Sequence, residues 1–184
     1  MLQKIQLKRF TTISGHTQDI QLSYEVFGRS LNEAPIVLVN HALTGNSNVA
    51  GHKGWWTDLI GDDKCIDTQM FSVLAFNIPG NGYDGFVIEQ YKEFVAGDIA
   101  KIFLMGLQEL KISQLHTIIG GSLGGGIAWE MATLNPEITQ HLIPVASDWK
   151  STDWLIANCQ IQEQILKNSS QPVHDARMHA MLCY

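Results

Sequence analysis

A serine flanked by glycines is the residue of this chain best suited to covalent chemistry. Gly120 to Gly124 follow the pattern Gly-x-Ser-x-Gly, directly after an apolar run and directly before a segment that predicts a helix over 123–134. A serine at such a sharp turn has a strained backbone, and glycines beside it prevent clashes with the neighbouring strand and helix. Its hydroxyl then lies at a helix N-terminus, which favours negative charge. We predict that Ser122 is a nucleophile for acyl transfer; the alternative is a flexible turn with a helix-capping serine.

Acyl transfer also requires hydrogen-bond donors for the negatively charged oxygen of the tetrahedral intermediate, and losing one donor costs about 2.7–4 kcal/mol. One donor is expected to be the N–H of Leu123, the residue after the serine. The second is expected from Asn40 to Gly45, a segment that follows the apolar run Pro35 to Asn40, and we assign it to the N–H of Leu43. His41 precedes the serine on the same segment, so we expect it to make structural hydrogen bonds rather than act as a base.

The elements that must position these residues begin with an antiparallel strand pair. Polar and apolar residues alternate over Ile5 to Leu7 and over Ile20 to Val26, with a turn expected at Ser14 to His16. The later strands are nearly continuous apolar runs, which is typical of strands covered on both faces. These runs are Pro35 to Asn40, Phe71 to Asn77, His116 to Gly120 and Leu142 to Ala146.

An amphipathic helix is predicted between the second and third of these runs, because apolar residues recur there at three- and four-residue spacing. Alternation of strand, helix and strand indicates a parallel sheet, so the fold class is α/β. The apolar stripe consists of Val95, Ile99, Ile102, Phe103, Leu107 and Leu110.

The end of the chain is predicted to be helical. A helix is expected from Trp154 to Asn168, and residues 173–184 are also compatible with a helix. We therefore divide the chain into a core, residues 1–150, and a helical segment, residues 151–184. The expected apolar face of the first of these helices consists of Trp154, Ala157, Ile161 and Ile165.

Composition narrows the function classes. The net charge of −6 with only 12 lysines and arginines argues against a nucleic-acid partner. The odd number of cysteines, Cys65, Cys159 and Cys183, indicates reduced thiols and hence a cytoplasmic location. No signal-peptide pattern begins the sequence, and no apolar stretch approaches the roughly 18 residues of a membrane span. No metal site is predicted.

Several short motifs together resemble the homoserine O-acetyltransferase family. The pieces are HALTG at 41–45, GWW at 54–56, IDT at 66–68, Asn77, GGSLGG at 120–125 and ARM at 176–178. The resemblance implies a three-layer α/β-hydrolase fold with a mostly parallel sheet and antiparallel N-terminal strands. It further implies that the segment 151–184 begins a helical lid, at which the chain is truncated.

The resemblance also implies a reaction, in methionine biosynthesis. An acetyl or succinyl group would pass from acyl-CoA, a co-substrate rather than a bound cofactor, to Ser122 and then to homoserine or a related acceptor. Thr44 and Arg177 are expected to bind substrate, and a homodimer through the lid helices is expected. Gln162 stands where the family usually has an arginine that grips the acceptor carboxylate. The chain also departs from the family pattern at Gly97-Asp98 and at Pro79 to Gly82.

Alternatives remain for the acid, the base and the activity. The family's triad partners are expected beyond residue 184, whereas Asp148 with His174 or His179 would keep the order of an internal triad. An esterase or thioesterase would use the same serine, and a chain without a base would be catalytically incomplete. Residues 80–85 also satisfy G-x-G-x-x-G, a dinucleotide-binding pattern, but we expect a loop over the active-site edge because no helix opens within it.

Overall fold

The computed structural model describes residues 1–183. The chain divides into two compact units, Met1–Trp149 and Lys150–Tyr184, and each is described by itself. Among the described residues, no helix combines the length and the apolar character that crossing a bilayer requires.

The first unit opens with two antiparallel strands, as the alternating pattern predicted. Strand β1 spans Gln3–Thr11 and β2 spans Thr17–Gly28. The turn between them is closed by the hydrogen bond from Thr12 N–H to His16 O at 2.8 Å, and Gly15 takes a φ of +95°, which glycine adopts without strain.

The rest of the main sheet is parallel. The strands after β2 are β3 (Ile36–Asn40), β4 (Ile60–Gly61), β5 (Ile66–Asp67), β6 (Ser72–Phe76), β7 (Leu115–Gly121) and β8 (Thr139–Val145). The order of the main sheet is β1-β2-β6-β3-β7-β8, with β2 antiparallel to β6 and all later neighbours parallel. All four predicted apolar runs are therefore confirmed as strands of one sheet. The expected burial is wrong for β8, which lies at the end of this order and has no buried residue.

Two helices, α1 (Ala96–Glu109) and α2 (Leu123–Leu134), pack on each other and cover one face of the sheet. The predicted stripe is buried in α1 with two exceptions, one at each end. Leu110 follows the last helical residue and is half-buried. Val95 lies before the first helical residue and is 54% exposed, because the helix begins one residue later than the apolar spacing suggests. The buried members are Ile99, Ile102, Phe103 and Leu107.

The opposite face of the sheet carries a second apolar cluster. Alternate residues of β3 and β6 supply it, as the period of a strand requires, and the segment 49–66 covers it. Within that segment β4 and β5 form a small parallel pair. Two residues per strand are too few for any periodic signal, so this pair could not be predicted from the sequence.

The second unit is a pair of helices, α3 (Asp153–Asn168) and α4 (Pro172–Ala180). The Thr152 hydroxyl caps α3 by accepting the N–H of Leu155 at 3.2 Å. The expected helix over 173–184 ends earlier, at Ala180, and a short 3₁₀ turn covers Met181–Cys183. Neither α3 nor α4 has a buried residue, and a groove of about 910 Å³ is lined by both.

Candidate active site

The backbone at Ser122 has the strained form that the glycine pattern predicted. Ser122 joins β7 to α2 with φ +52° and ψ −120°. A side-chain-bearing residue with positive φ costs on the order of 1–3 kcal/mol and persists only where its surroundings hold it. Here Ser122 N–H donates to Val145 O at 2.9 Å, and Ser122 O accepts the N–H groups of Gly125 and Gly126.

The Ser122 hydroxyl is exposed and does not cap the helix. A capping serine has an extended backbone and accepts an N–H of the first turn with its side chain. Ser122 has neither feature. The alternative of a helix-capping serine is therefore wrong, and the hydroxyl is left free at the positive end of the α2 dipole.

Three glycines have a steric reason to be glycine. A Cβ on Gly120 would lie 2.3 Å from Gly124 O, and one on Gly124 would lie 2.2 Å from Asn40 O. A Cβ on Gly125 would lie 2.6 Å from Ser147 Cβ. Gly121, in contrast, has no atom within 4 Å of such a position. These three glycines lie where the N-terminus of α2 meets β7, the end of β3 and the second residue after β8.

The segment predicted to carry an oxyanion donor, Asn40 to Gly45, is part of an irregular stretch after β3. Residues 41–48 of this stretch, called the oxyanion loop below, start with a tight turn. Gly45 N–H donates to Ala42 O at 2.9 Å, which makes Leu43 and Thr44 the two central residues of a β-turn. Both side chains are exposed, Leu43 by 74%. A turn of this kind uses the N–H of its fourth residue, so it leaves the N–H of Leu43 available.

The two expected oxyanion donors lie on segments in direct contact. Gly124 approaches the end of β3 so closely that it tolerates no Cβ, and Asn40 Nδ2 donates to Gly124 O at 3.4 Å. The N–H groups of Leu43 and Leu123 donate to no acceptor within residues 1–149. The first unit therefore brings the serine, the first turn of α2 and the start of the oxyanion loop together at one edge of the sheet.

His41 makes structural hydrogen bonds, as predicted. Its Nε2 accepts the N–H of Ile78 at 3.0 Å, so the ring proton lies on Nδ1, which donates to Ala42 O at 2.7 Å. Burial lowers the pKa of this imidazole below its ordinary value, and the bond to Ala42 O opposes the shift only in part. The lone pair a base would need is already in use, so His41 fixes the loop in its neutral form.

The GWW motif supports the oxyanion loop, a role that sequence reasoning did not assign. Trp55 Nε1 donates to Asn46 O at 2.9 Å, and the indoles of Trp55 and Trp56 stack with centroids 5.0 Å apart. A Cβ on Gly54 would lie 2.5 Å from the backbone of Ala50. Because the hydrogen bond from Trp55 to Asn46 links residues nine apart in an irregular segment, no periodic pattern pointed to it.

Residues 80–85 form a loop, so the dinucleotide-binding alternative is wrong. Gly80, Gly82 and Gly85 all have positive φ, and the next α-helix begins only at Ala96. The loop follows β6 at the edge where the parallel strands end. Asn81 Nδ2 reaches Gly45 O at 3.5 Å, which ties this loop to the oxyanion loop.

At Gly97-Asp98, where the chain departs from the family pattern, the aspartate has a structural role. Asp98 is fully buried, and its carboxylate accepts the N–H of Ile13 at 2.7 Å and that of Val95 at 3.1 Å. It thereby joins the first turn of α1 to the β1–β2 turn.

The remaining predicted residues lie in the second unit, apart from Asp148. Arg177 is exposed on α4 and Gln162 is half-buried on α3. His174 Nδ1 is hydrogen bonded to Asp175 at 2.9 Å, and Asp148 lies in the first unit after β8. Within residues 1–149, Ser122 Oγ makes no hydrogen bond to another side chain. The internal triad stays a prediction.

No group of three or more histidine, cysteine or acidic side chains suited to hold a metal ion occurs in the part of the chain that the structure describes. Cys65 and Cys159 are free thiols on the surface.

Comparison with known proteins agrees with this architecture. Residues 35–169 match the family model described as the alpha/beta hydrolase fold. The chain belongs to that family, and the predicted fold class is confirmed.

A curated homoserine O-acetyltransferase of Corynebacterium urealyticum is 32% identical over 146 residues, which cover 73% of this chain and 37% of the relative. The crystal structure of a homoserine O-acetyltransferase from Staphylococcus aureus superposes with a TM-score of 0.83 at 25% identity, over 99% of this chain and 57% of that one. The resemblance to homoserine O-acetyltransferases found in the motifs is thus confirmed.

The structure of esterase E22 is also similar, with a TM-score of 0.78 at 26% identity, over 92% of this chain and 54% of that one. The chain spans less than half the length of the curated relatives it matches.

Proposed function

We propose that this chain carries the nucleophile and the oxyanion hole of an acyltransferase of the homoserine O-acetyltransferase kind. The observation that carries the proposal is the exposed hydroxyl of Ser122, which caps no N–H of α2 and belongs to a residue held at φ +52° directly before that helix. The neighbouring N–H groups of Leu43 and Leu123 have no acceptor within residues 1–149. A strained serine beside two free donors is what acyl transfer through a tetrahedral intermediate requires.

The reaction would run in two steps. Ser122 Oγ attacks the thioester carbon of acetyl- or succinyl-CoA, the C–S bond breaks, and the serine proton leaves with the thiol. The acceptor hydroxyl, that of homoserine or a related compound, then attacks the acyl-serine ester. Its C–O bond to Ser122 breaks and the proton of the acceptor returns to the serine. In both steps the N–H groups of Leu43 and Leu123 would hold the oxyanion.

A general base is needed to move these protons, because an unactivated serine is a weak nucleophile at neutral pH. We propose a histidine. His174 or His179, with Asp148, would supply it from within the chain, and otherwise it comes from residues outside 1–184. Loss of a triad member lowers turnover by about 10⁴- to 10⁶-fold.

Substrate binding is assigned to Thr44, at the second central position of the oxyanion turn, and to Arg177 on α4. We propose that residues 151–184 begin a helical lid and that residues 1–150 form the core. The acceptor carboxylate would meet Gln162 instead of an arginine, so homoserine is expected to bind less tightly than at an arginine site.

The lid helices are also the proposed surface of a homodimer. Apolar side chains on α3 remain exposed in the second unit, with Trp154 at 61% and Ile161 at 47%. Two copies that pair these faces would bury them. The free thiols of Cys65 and Cys159 fit a reducing compartment, and we propose the cytoplasm.

A serine esterase is the second candidate, favoured by the similarity to esterase E22. It would use the same serine and the same N–H groups, with water as the final acceptor. The two functions differ only in what consumes the acyl-enzyme.

The test is to treat the protein with a fluorophosphonate and measure its intact mass, with Ser122→Ala as control. We expect one adduct per chain that is absent from the control. No adduct on folded protein would mean that this chain is catalytically incomplete by itself. Where the adduct forms, acetyl-CoA turnover with and without homoserine separates the functions: a transferase releases thiol faster with homoserine, and an esterase at the same rate in both.

A further inference from the structure

A cluster of buried polar side chains lies beneath the far end of the oxyanion loop. It consists of Ser23 and Glu25 on β2, Ser47 at the end of the loop, and Asn77 directly after β6, and is called the brace below. All four residues are at most 9% exposed. Buried polar groups are costly unless each finds a partner, so a fully bonded cluster fixes a single arrangement.

Asn77 uses every hydrogen bond its side-chain amide can make. Its Nδ2 donates to Ser23 Oγ and to Ser47 Oγ, both at 2.9 Å. Its Oδ1 accepts the backbone N–H of Ser47 at 2.8 Å and Nδ2 of Asn81 at 3.3 Å. Because a backbone N–H can only donate, the orientation of the amide is determined, and no other side chain supplies this set of two donors and one acceptor oxygen at the same length.

Glu25 determines the direction of the remaining bond. The Ser47 hydroxyl accepts from Asn77 and therefore donates to Glu25 Oε2, at 2.8 Å. The nearest cation is the amino group of Met1, 4.0 Å from Oε1. The carboxyl group thus anchors Ser47 to the sheet.

The brace helps to orient the peptide that carries the Leu43 N–H. The oxyanion loop is held at its start by His41, bonded to Ala42 O and to Ile78 N–H, and at its end by Ser47. The two central residues of the turn, Leu43 and Thr44, are exposed, so packing of their own side chains does not orient the peptide that carries the donor. Besides the bonds that Trp55 and Asn81 make to Asn46 O and Gly45 O, the two ends of the loop therefore set the orientation of this peptide.

We propose that Asn77 and Glu25 are positioning residues for acyl transfer, which act through Ser47 on the Leu43 N–H. The inference rests on the proposed function of Ser122. An oxyanion donor is effective only at hydrogen-bond distance from the position that the oxyanion will occupy, and a displacement of about 1 Å costs roughly 100-fold in rate.

The experiment measures acylation of Ser122 by a fluorophosphonate at several probe concentrations, well below the unfolding temperature. In this step the serine O–P bond forms, fluoride leaves, and the serine proton goes to the base. The variants are Asn77→Ala and Glu25→Ala, with Glu25→Gln as the conservative variant that keeps an acceptor for Ser47. The matched control is Gln21→Ala. Gln21 lies on the same face of β2 as Ser23 and Glu25, but its side chain is hydrogen bonded to Gln6 and Asp84 and not to the oxyanion loop.

We expect Asn77→Ala and Glu25→Ala to lower the limiting acylation rate constant about 100-fold, with probe affinity within about 3-fold of wild type. Glu25→Gln is expected to recover most of the rate, and Gln21→Ala to keep all of it. A merely structural role would lower the Tm of each variant and leave the rate constant of the folded protein unchanged, which would overturn the proposal.

If the wild-type protein forms no adduct, the proposed function fails for this chain, and amide hydrogen exchange decides on the brace. Faster exchange over residues 42–47 in Asn77→Ala and Glu25→Ala, with no change in α1, supports it. Exchange equal to that of Gln21→Ala overturns it.

Discussion

The two units of this protein differ in how they are stabilised. The first unit holds its sheet between helices on one face and a covering segment on the other, and residues such as Phe76, Phe103 and Ile118 are fully buried. The second unit is a helical pair in which neither helix has a buried residue. Its fixed features are local: the Thr152 cap of α3, and the hydrogen bonds that Asp175 makes with His174 and Ser169.

Under the proposed function, the residues for the covalent step and those for acceptor binding lie on these two different kinds of structure. Ser122 and the oxyanion loop need positions accurate to a fraction of an ångström, and a close-packed unit supplies them. The residues expected to contact the acceptor, Arg177 and Gln162, lie on helices with large exposed apolar surface. Their arrangement depends on what covers that surface.

The largest expected effect is a loss of stability when a large core side chain is truncated to alanine. The same kind of truncation in the helical pair is the comparison. Phe103→Ala removes a fully buried ring that packs against Phe76 with centroids 5.1 Å apart. We expect it to lower the free energy of unfolding by about 3–5 kcal/mol. Ile161→Ala, at a residue 47% exposed, is expected to cost below about 1 kcal/mol. Urea denaturation measures both, and equal losses would mean that the second unit is as tightly packed as the first.

A smaller effect is expected where the oxyanion loop meets α2. Gly124→Ala places a Cβ 2.2 Å from Asn40 O, and the backbone must move apart at a cost of about 1–3 kcal/mol. The same movement separates Leu123 from Leu43, so Ser122 acylation should also slow. Gly121→Ala is the matched control, since its Cβ meets no atom within 4 Å. Thermal denaturation and probe labelling measure the pair, and wild-type behaviour of Gly124→Ala would contradict this close approach.

The smallest effect is a dependence on pH. Burial lowers the pKa of His41, so the unfolded chain binds a proton at higher pH than the folded one. Neutral His41 makes its full contribution to the free energy of unfolding above the pKa of histidine in the unfolded chain, about 6.5. This contribution is lost as the pH falls toward the pKa of His41 in the folded protein. We therefore expect Tm to fall between about pH 7.5 and about pH 5.5, and to fall less in His41→Gln. His174→Gln, which removes an exposed imidazole of the second unit, should retain the wild-type fall. If Tm falls as much in His41→Gln as in the wild type, the pH dependence comes from another group.

The structural features that depend on residues close together in the sequence could be predicted. Three buried strands and the less buried β8 follow from unbroken apolar runs. The helix α1 follows from helical spacing, and the end of α2 follows from Asn135-Pro136. The strained serine follows from its glycines, because the required φ and the close approach of strand and helix are local demands. His41 was placed correctly for a similar reason, since its position on the oxyanion loop restricts what it can contact.

Contacts between distant segments could not be predicted. One such contact is the hydrogen bond from Trp55 to Asn46, and another is the brace, which links β2, the oxyanion loop and Asn77. These contacts join residues that have no regular spacing in the sequence. The same holds for the β4–β5 pair, which is too short to give a pattern. Side chains on α3 were expected to form an apolar face, but whether such a face is buried depends on a partner that the pattern does not contain.

The sequence by itself determined the α/β class, the order of the main strands and helices, and the strained serine between β7 and α2, because periodicity and glycine chemistry act over a few residues. Only the tertiary structure decided which glycines are sterically required, that His41 is locked in its neutral form, and that Glu25 and Asn77 support the oxyanion loop. Those features arise where the sheet brings remote segments within hydrogen-bond distance, and such distances exist only once the chain has folded.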